Sequence, residues 1–143
     1  MSEIIRYEHV DISYNGELAV HDISFSLGAG EILGIVGESG SGKSVTALSI
    51  LGLLPRQGKV TGGEILFEGK NLLTLTEEEM DRARGREIAM IFQDIMYSLN
   101  PVFTIGNQMM EGMRRHLNYT KEQAYQEGIR LLERTGIRDA RQV

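Results

Sequence analysis

Apolar and polar residues alternate in the first part of the chain, in two runs that predict a pair of β-strands. Residues 4–14 lean toward alternation, and the apolar residues among positions 23–27 are separated by serines. A period of two is the pattern of a strand with one buried face. Between the two runs stands Asn15-Gly16, a strong turn signal for a hairpin. The pattern therefore predicts an antiparallel β portion at the start of the chain.

Two other short runs are apolar at nearly every position. Residues 31–36 follow the turn Gly28-Ala29-Gly30, and residues 88–92 form the second run. Continuous apolar runs of this length are typical of strands that are covered on both faces. A further short strand is predicted over residues 64–67, which Gly62-Gly63 precedes and Glu68-Gly69 follows.

Helical spacing and capping signals predict four helices. The first begins at Lys43 and ends near Pro55, because a residue before proline is pushed out of helical geometry. Thr76 with Glu79 forms a capping box that begins a short helix reaching about Arg84. After Asn100-Pro101 breaks the chain, two more helices follow. The first of these is predicted by apolar residues at helical spacing, Ile105, Met109, Met113 and Leu117. The second is predicted by the capping box of Thr120 with Gln123.

Composition limits the class of protein. The 143 residues are enough for one domain, and 41% apolar with 24% charged residues is globular composition. The net charge of −5 argues against a dedicated nucleic-acid binder. Cysteine is absent, so disulfides and thiolate metal sites are excluded. No run approaches a membrane span or a signal peptide, so a cytoplasmic chain is expected.

One motif carries candidate chemistry. Residues 37–44 read GESGSGKS and match the phosphate-binding loop G-x-x-x-x-G-K-[ST]. In such a loop backbone N–H groups surround a phosphate and the next helix presents its positive end. Lys43 would reach the β- and γ-phosphates, Ser44 would ligate Mg²⁺, and Gly40 would permit close backbone approach. The predicted ligands are a purine nucleoside triphosphate and Mg²⁺.

The segments around this loop carry a family resemblance. LGAGEILGIVGESGSGKSVTALSILGLLP is followed by GGEILFEGKNL, IAMIFQD and SLNPV. Together, over about residues 4–137, they resemble the ATP-binding subunit of ABC transporters, most closely the dipeptide, oligopeptide and nickel import group. The resemblance implies an α/β P-loop NTPase fold. Its parts would be an antiparallel β portion (about 1–30 and 60–72), a P-loop core (31–55 and 87–93) and a helical subdomain (about 104–143).

The resemblance also implies roles for individual residues. Tyr14 matches the aromatic residue that stacks on adenine, and Gln93 matches the glutamine that helps to coordinate Mg²⁺ and the attacking water. Ile95 and Tyr97 stand where the import group commonly has proline and threonine, which weakens the substrate assignment. The family's nucleotide-binding positions fall on Gly37, Glu38, Ser39, Gly40, Ser41, Gly42, Lys43 and Ser44, with the backbone of Val45 also near the phosphates.

Plainer interpretations stay open for several residues. Without the resemblance, Tyr14 is an ordinary tyrosine at a strand end and Gln93 an ordinary loop residue. The methionines at 109, 110 and 113 are expected to fill a small helical core rather than to form a contact surface. The histidines have no ligand spacing and are expected to be structural or solvent-facing; they are His9, His21 and His116.

Other family elements are not found in the sequence: the LSGGQ-like signature loop, the apolar run ending in Asp-Glu (Walker B), and the switch histidine. The chain is therefore expected to be the N-terminal portion of a longer subunit. Alone, it is expected to bind ATP weakly and not to hydrolyse it, because the general-base carboxylate is missing.

The resemblance implies that the complete subunit powers import of peptides, or of nickel, at the cytoplasmic face of the membrane. Implied partners are a second ATP-binding subunit, transmembrane permease subunits and, indirectly, an extracytoplasmic solute-binding protein, but no nucleic acid. Two alternatives come from other classes. One is a soluble ABC-type ATPase of translation or DNA repair, and the other is a non-catalytic nucleotide-binding module.

Overall fold

The computed structural model describes residues 2–142 and divides the chain into two compact units, residues 1–81 and residues 82–143. The strands, all in the first unit, are β1 (Glu3–Tyr14), β2 (Glu17–Gly28), β3 (Gly58–Phe67) and β4 (Lys70–Asn71). The helices are α1 (Lys43–Ile50), α2 (Glu77–Ala83), α3 (Ile105–Leu117) and α4 (Lys121–Arg134). Short 3₁₀ turns cover Leu72–Thr74, Ile95–Tyr97 and Ala140–Gln142.

The strands form one antiparallel sheet in the order β2-β1-β3-β4. The hairpin between β1 and β2 turns at Asn15-Gly16, as predicted. Both turn residues have positive φ, 52° and 82°, which suits a tight two-residue hairpin turn. Because β1 pairs with β2 on one side and β3 on the other, it is the central strand of the core.

A β-bulge in β1 explains why its apolar residues do not alternate perfectly. The pairing register with β2 shifts between Tyr7 and Val10, and His9 between them has a positive φ of 48°. The extra residue lets Tyr7 and Val10 both be buried although three positions separate them. On the neighbouring strand Gly63 has φ of 80°, and a Cβ there would clash with the backbone carbonyls of Glu8 and His9. The bulge therefore requires glycine at position 63.

The core of the first unit lies on one face of this sheet. The side chains of Tyr7, Val10, Ile12 and Ile65 are at most 1% exposed. On β2, the apolar residues at 23, 25 and 27 are half-buried while the intervening serines are exposed, as the alternation predicts.

The predicted strand over residues 31–36 is not formed, and this prediction is wrong for the structure. All six residues are exposed, with Ile32 at 100% and Val36 at 93%. A strand exists only where neighbouring backbone accepts and donates hydrogen bonds. Among residues 2–142 no segment pairs with residues 31–36.

The strand predicted over residues 88–92 is also not formed. Ile88 makes one isolated parallel bridge, to Arg84, and Ile91 is 91% exposed. The reason is the same as for residues 31–36. No described strand pairs with it, so the run remains irregular.

Two boundaries differ from the predictions. Helix α1 ends at Ile50 rather than near Pro55, because Gly52 takes a positive φ of 62° that a right-handed helix cannot continue through. Strand β3 begins at Gly58, earlier than the predicted start at Glu64, because the end of β1 provides a pairing partner for residues 58–62.

The helix-start predictions are confirmed. Thr76 N donates to Glu79 Oε2 at 2.8 Å and Glu79 N donates to the Thr76 hydroxyl at 3.2 Å, which begins α2. The same reciprocal pair joins Thr120 and Gln123 at the start of α4. Within the part of the chain that the structure describes, no helix combines the length and apolarity needed to cross a membrane.

Candidate nucleotide-binding site

The loop GESGSGKS lies in the first unit, where it follows segment 31–36 and its last two residues begin α1. Its first five residues are exposed, and the helix begins at Lys43. Gly42 is the N-cap residue with φ of 98°, a left-handed conformation that glycine adopts without strain. The motif therefore has the turn into a helix that a phosphate-binding loop requires, although the predicted preceding strand is absent.

The side chain of Lys43 turns back over the loop. Its Nζ donates to the carbonyl oxygens of Gly37 and Glu38, each at 2.7 Å, and to Ser41 Oγ at 3.3 Å. Ser41 N in turn donates to Glu38 O at 3.1 Å, which closes a tight turn. The ammonium is thus held at the turn of the loop, and its positive charge lies near the N-terminus of α1.

The first turn of α1 offers further anion-binding groups. The first N–H groups of a helix have no intrahelical carbonyl, and here Gly42 supplies no side-chain cap. The first turn also carries no acidic residue. Backbone N–H groups, the positive helix end and one lysine therefore lie together in a helix turn that has no carboxylate of its own.

Two loop glycines have close neighbours, and at Gly42 the left-handed backbone also requires glycine. A Cβ at Gly42 would lie 2.6 Å from Val20 Cγ2, because β2 packs directly beneath the start of the helix. A Cβ at Gly37 would lie 2.5 Å from Ser41 Oγ, inside the curled loop. Gly42 lets the loop turn directly into the start of α1, where backbone N–H groups can receive a phosphate, so the residues present fit a nucleotide.

Tyr14 is the last residue of β1, in the same unit as the loop. It pairs with Glu17 and Gly58, and 36% of its surface is exposed. Two positions earlier, Ile12 pairs with Val20, whose side chain packs against Gly42. One strand pairing and one packing contact therefore connect the Tyr14 end of β1 to the loop.

The two Mg²⁺ candidates fall in different units. Ser44 lies in the first turn of α1 and is exposed. Gln93 is also exposed but belongs to the second unit, just before Asp94, which caps the 3₁₀ turn at Ile95–Tyr97 by accepting from Met96 N at 3.2 Å. Serine hydroxyl and amide carbonyl oxygens both suit a hard cation.

A family model described as "ABC transporter" matches residues 20–143. The chain belongs to the ABC transporter family. The match begins in β2 and includes the whole GESGSGKS loop, α1 and the residues around Gln93.

Curated ABC relatives make the likeness more specific. The chain is 49% identical over 123 residues to the oligopeptide transport ATP-binding protein OppD of Escherichia coli, and 50% identical over 127 residues to OppD of Bacillus subtilis. It is 50% identical over 122 residues to a probable peptide ABC transporter ATP-binding protein of Sinorhizobium fredii. These alignments cover 85–87% of this chain but only 36% of each relative.

Sequence reasoning missed three buried polar residues beneath the loop of this ABC chain. The Tyr7 hydroxyl donates to the Thr46 carbonyl at 2.7 Å and lies 2.8 Å from Ser49 Oγ. Burial raises the pKa of Tyr7 to about 12, with the Ser49 hydrogen bond opposing the rise. No local signal predicts this cluster, because its partners lie 39 and 42 residues apart in sequence.

The histidines lie away from the loop residues in sequence and have structural or solvent-facing environments, as predicted. His9 Nδ1 lies 2.7 Å from Asp22 Oδ1 and His21 Nδ1 lies 2.9 Å from Asp11 Oδ1, both on the exposed side of the bulge. His116 packs against Gly85 in the second unit. The methionines at 109, 110 and 113 are half-buried on α3.

Proposed function

We propose that the chain carries the nucleotide-binding loop of an ATP-binding subunit that powers ABC-type import of peptides. The observation that carries the proposal is the Lys43 ammonium, held by the carbonyls of Gly37 and Glu38 at the positive end of α1. Membership of the ABC transporter family and about 50% identity to peptide-transport ATP-binding proteins support the substrate class.

In this proposal the loop grips the triphosphate of ATP. Lys43 would exchange its carbonyl partners for β- and γ-phosphate oxygens, and the backbone N–H groups from Gly40 to Val45 would donate to the same phosphates. These groups would neutralise the charge that develops when water attacks the γ-phosphorus and ADP leaves. The other loop residues would shape the loop around the triphosphate; they are Glu38, Ser39 and Ser41.

The remaining site residues have auxiliary roles. Tyr14 would stack on adenine, since an aromatic face gives affinity for a purine without reading its edge. The family resemblance implies two ligands for Mg²⁺, the Ser44 hydroxyl and the Gln93 side-chain carbonyl. That ion, when bound, supplies charge neutralisation between the phosphates.

We further propose that the complete subunit works as a pair at the cytoplasmic face of a membrane. Two ATP-binding subunits would enclose ATP between them, and the segment at Gln93 would pass the resulting motion to transmembrane permease subunits. An extracytoplasmic solute-binding protein would deliver the peptide.

A chimera tests the transport proposal. Residues of this chain would replace the aligned 123 residues of the Escherichia coli oligopeptide transport ATP-binding protein, in cells lacking that protein. We expect oligopeptide uptake to return, and to be lost again in the Lys43→Ala chimera. Co-purification with the permease verifies assembly. An assembled chimera that hydrolyses ATP without dependence on Lys43 would overturn the proposal.

The isolated chain should behave differently from the complete subunit. We expect weak ATP binding and no steady hydrolysis, because no Asp-Glu pair follows an apolar run in its sequence. Phosphate release clearly above that of the Lys43→Ala variant would contradict this expectation.

A further inference from the structure

The sheet and the phosphate-binding loop are joined by one buried hydroxyl. Tyr7 lies in the middle of β1, where it pairs with Phe25 on β2 and Ile65 on β3. Its side chain is 1% exposed, and its ring stacks on Phe25 with centroids 4.4 Å apart. Strand pairing on both sides and stacking on Phe25 thus fix the ring, so the direction of its hydroxyl is also fixed.

From this hydroxyl, a chain of hydrogen bonds leads to the loop. Tyr7 donates to the carbonyl of Thr46 in α1 at 2.7 Å. The Thr46 hydroxyl donates to the carbonyl of Gly42 at 2.7 Å, and Thr46 N donates to the same carbonyl at 2.9 Å. Gly42 is the N-cap residue, directly before Lys43. One buried and one part-buried hydrogen bond therefore connect β1 to the point where the loop becomes helix.

We propose that Tyr7 is a positioning residue for the phosphate-binding loop, acting through Thr46 on Gly42 and so on the N–H groups at the start of α1. The inference rests on the proposed nucleotide site and deepens it. The hydroxyl sets the distance of α1 from the sheet, and Thr46 transmits that position to the residue whose conformation aims the first helical amides.

This role differs from plain packing. The ring of Tyr7 already fills its place against Phe25, and a phenylalanine ring would do the same. Burying a hydroxyl costs free energy unless it is hydrogen-bonded, and the Tyr7 hydroxyl has two partners, the Thr46 carbonyl and Ser49 Oγ. Removing it should therefore leave the sheet intact and alter the helix start.

The experiment compares ATP with AMP on the wild-type chain and on Tyr7→Phe. AMP keeps the purine and the α-phosphate but lacks the β- and γ-phosphates that Lys43 would bind. Binding is followed by amide NMR shifts of residues 37–45, with Mg²⁺ present. For Tyr7→Phe we expect ATP affinity to fall about five-fold, the effect of one hydrogen bond of about 1 kcal/mol, while AMP affinity stays unchanged. The exposed Tyr97→Phe is the matched control and should change neither.

A second variant covers the case in which Tyr7→Phe fails to fold. Thr46→Val removes the hydroxyl link to Gly42, whose carbonyl still accepts from the backbone N–H of residue 46. It should give the same ATP-selective loss. The inference is overturned if the folded variants bind ATP like wild type, or lose ATP and AMP affinity equally. Absence of ATP binding by the wild-type chain would instead overturn the proposed function.

Discussion

The central strand β1 and the segment 31–36 are both rich in apolar residues, but only one of them is structured as a strand. In β1, Ile12 is 0% exposed, with β2 and β3 paired on either side. In the other segment, Ile32 is 100% exposed and no described residue pairs with the backbone. The sequence predicts more burial for the second segment, because its apolar run is nearly continuous whereas that of β1 leans toward alternation.

The difference lies in the availability of partners. The pairing partners of β1 include a strand that a two-residue turn brings back beside it, so hydrogen bonds and burial are gained together. A continuous apolar run gains neither until parallel neighbours flank it. The apolar residues of a segment thus show how much surface it could bury. Whether that surface is buried depends on whether a neighbouring strand pairs with the segment.

The largest predicted effect comes from truncating the same amino acid in both places. Ile12→Ala should lower the free energy of unfolding by about 2–5 kcal/mol, because it opens a cavity in the core. Ile32→Ala should change it by less than about 0.5 kcal/mol. Urea denaturation followed by circular dichroism measures both. A cost near that of Ile12→Ala at position 32 would mean that the segment is buried after all.

Local signals predicted most of the fold. The hairpin at Asn15-Gly16 and the capping boxes at Thr76 and Thr120 depend on residues within a few positions, and each is present in the structure. The bulge at His9 could not be predicted, since it depends on the facing Gly63 across the sheet. The predictions of strands over 31–36 and 88–92 were wrong because strand pairing depends on residues distant in sequence.

The same division applies to the candidate site. The motif predicted the loop, its lysine and the start of the helix, which all lie within eight residues. Tyr7, which contacts α1 from strand β1, lies outside the motif, so the motif could not predict its contribution. Roles for Tyr14 and Gln93 rest on family resemblance and stay predictions.

A capping variant sharpens the contrast between local and non-local structure. Thr120→Ala removes the hydroxyl that accepts from Gln123 N at 3.2 Å, and should destabilise the start of α4 by about 1 kcal/mol. Amide hydrogen exchange in residues 121–134 measures the effect. The neighbouring Lys121→Ala keeps the cap and should leave exchange almost unchanged. Equal exchange in the two variants would show that the cap contributes nothing.

The smallest effect concerns the exposed side of the bulge. Hydrogen bonding to Asp22 raises the pKa of His9 above its ordinary 6.5. The stability that His9 contributes is therefore complete below pH 6.5 and is lost as pH rises through the folded pKa. For Asp11, whose pKa is lowered chiefly by the Asp22 backbone N–H, the contribution is present above its ordinary 3.8 and is lost as pH falls through the folded pKa.

NMR titration of His9 tests this assignment. Asp22→Asn should lower the His9 pKa toward its ordinary value, and Glu17→Gln on the same strand should leave it unchanged. An unaltered His9 pKa in Asp22→Asn would show that the ion pair does not form in solution.

The central claim is that residues 37–45 bind the polyphosphate of a nucleotide through Lys43 and the start of α1. A titration of the ¹⁵N-labelled chain with ATP and Mg²⁺ tests it most directly. The account predicts saturable shifts of the amides in residues 37–45, an affinity at least about ten-fold lower in Lys43→Ala, and no change in Lys70→Ala on β4. Absence of saturable shifts in the wild-type chain, or equal affinity in Lys43→Ala, would contradict it.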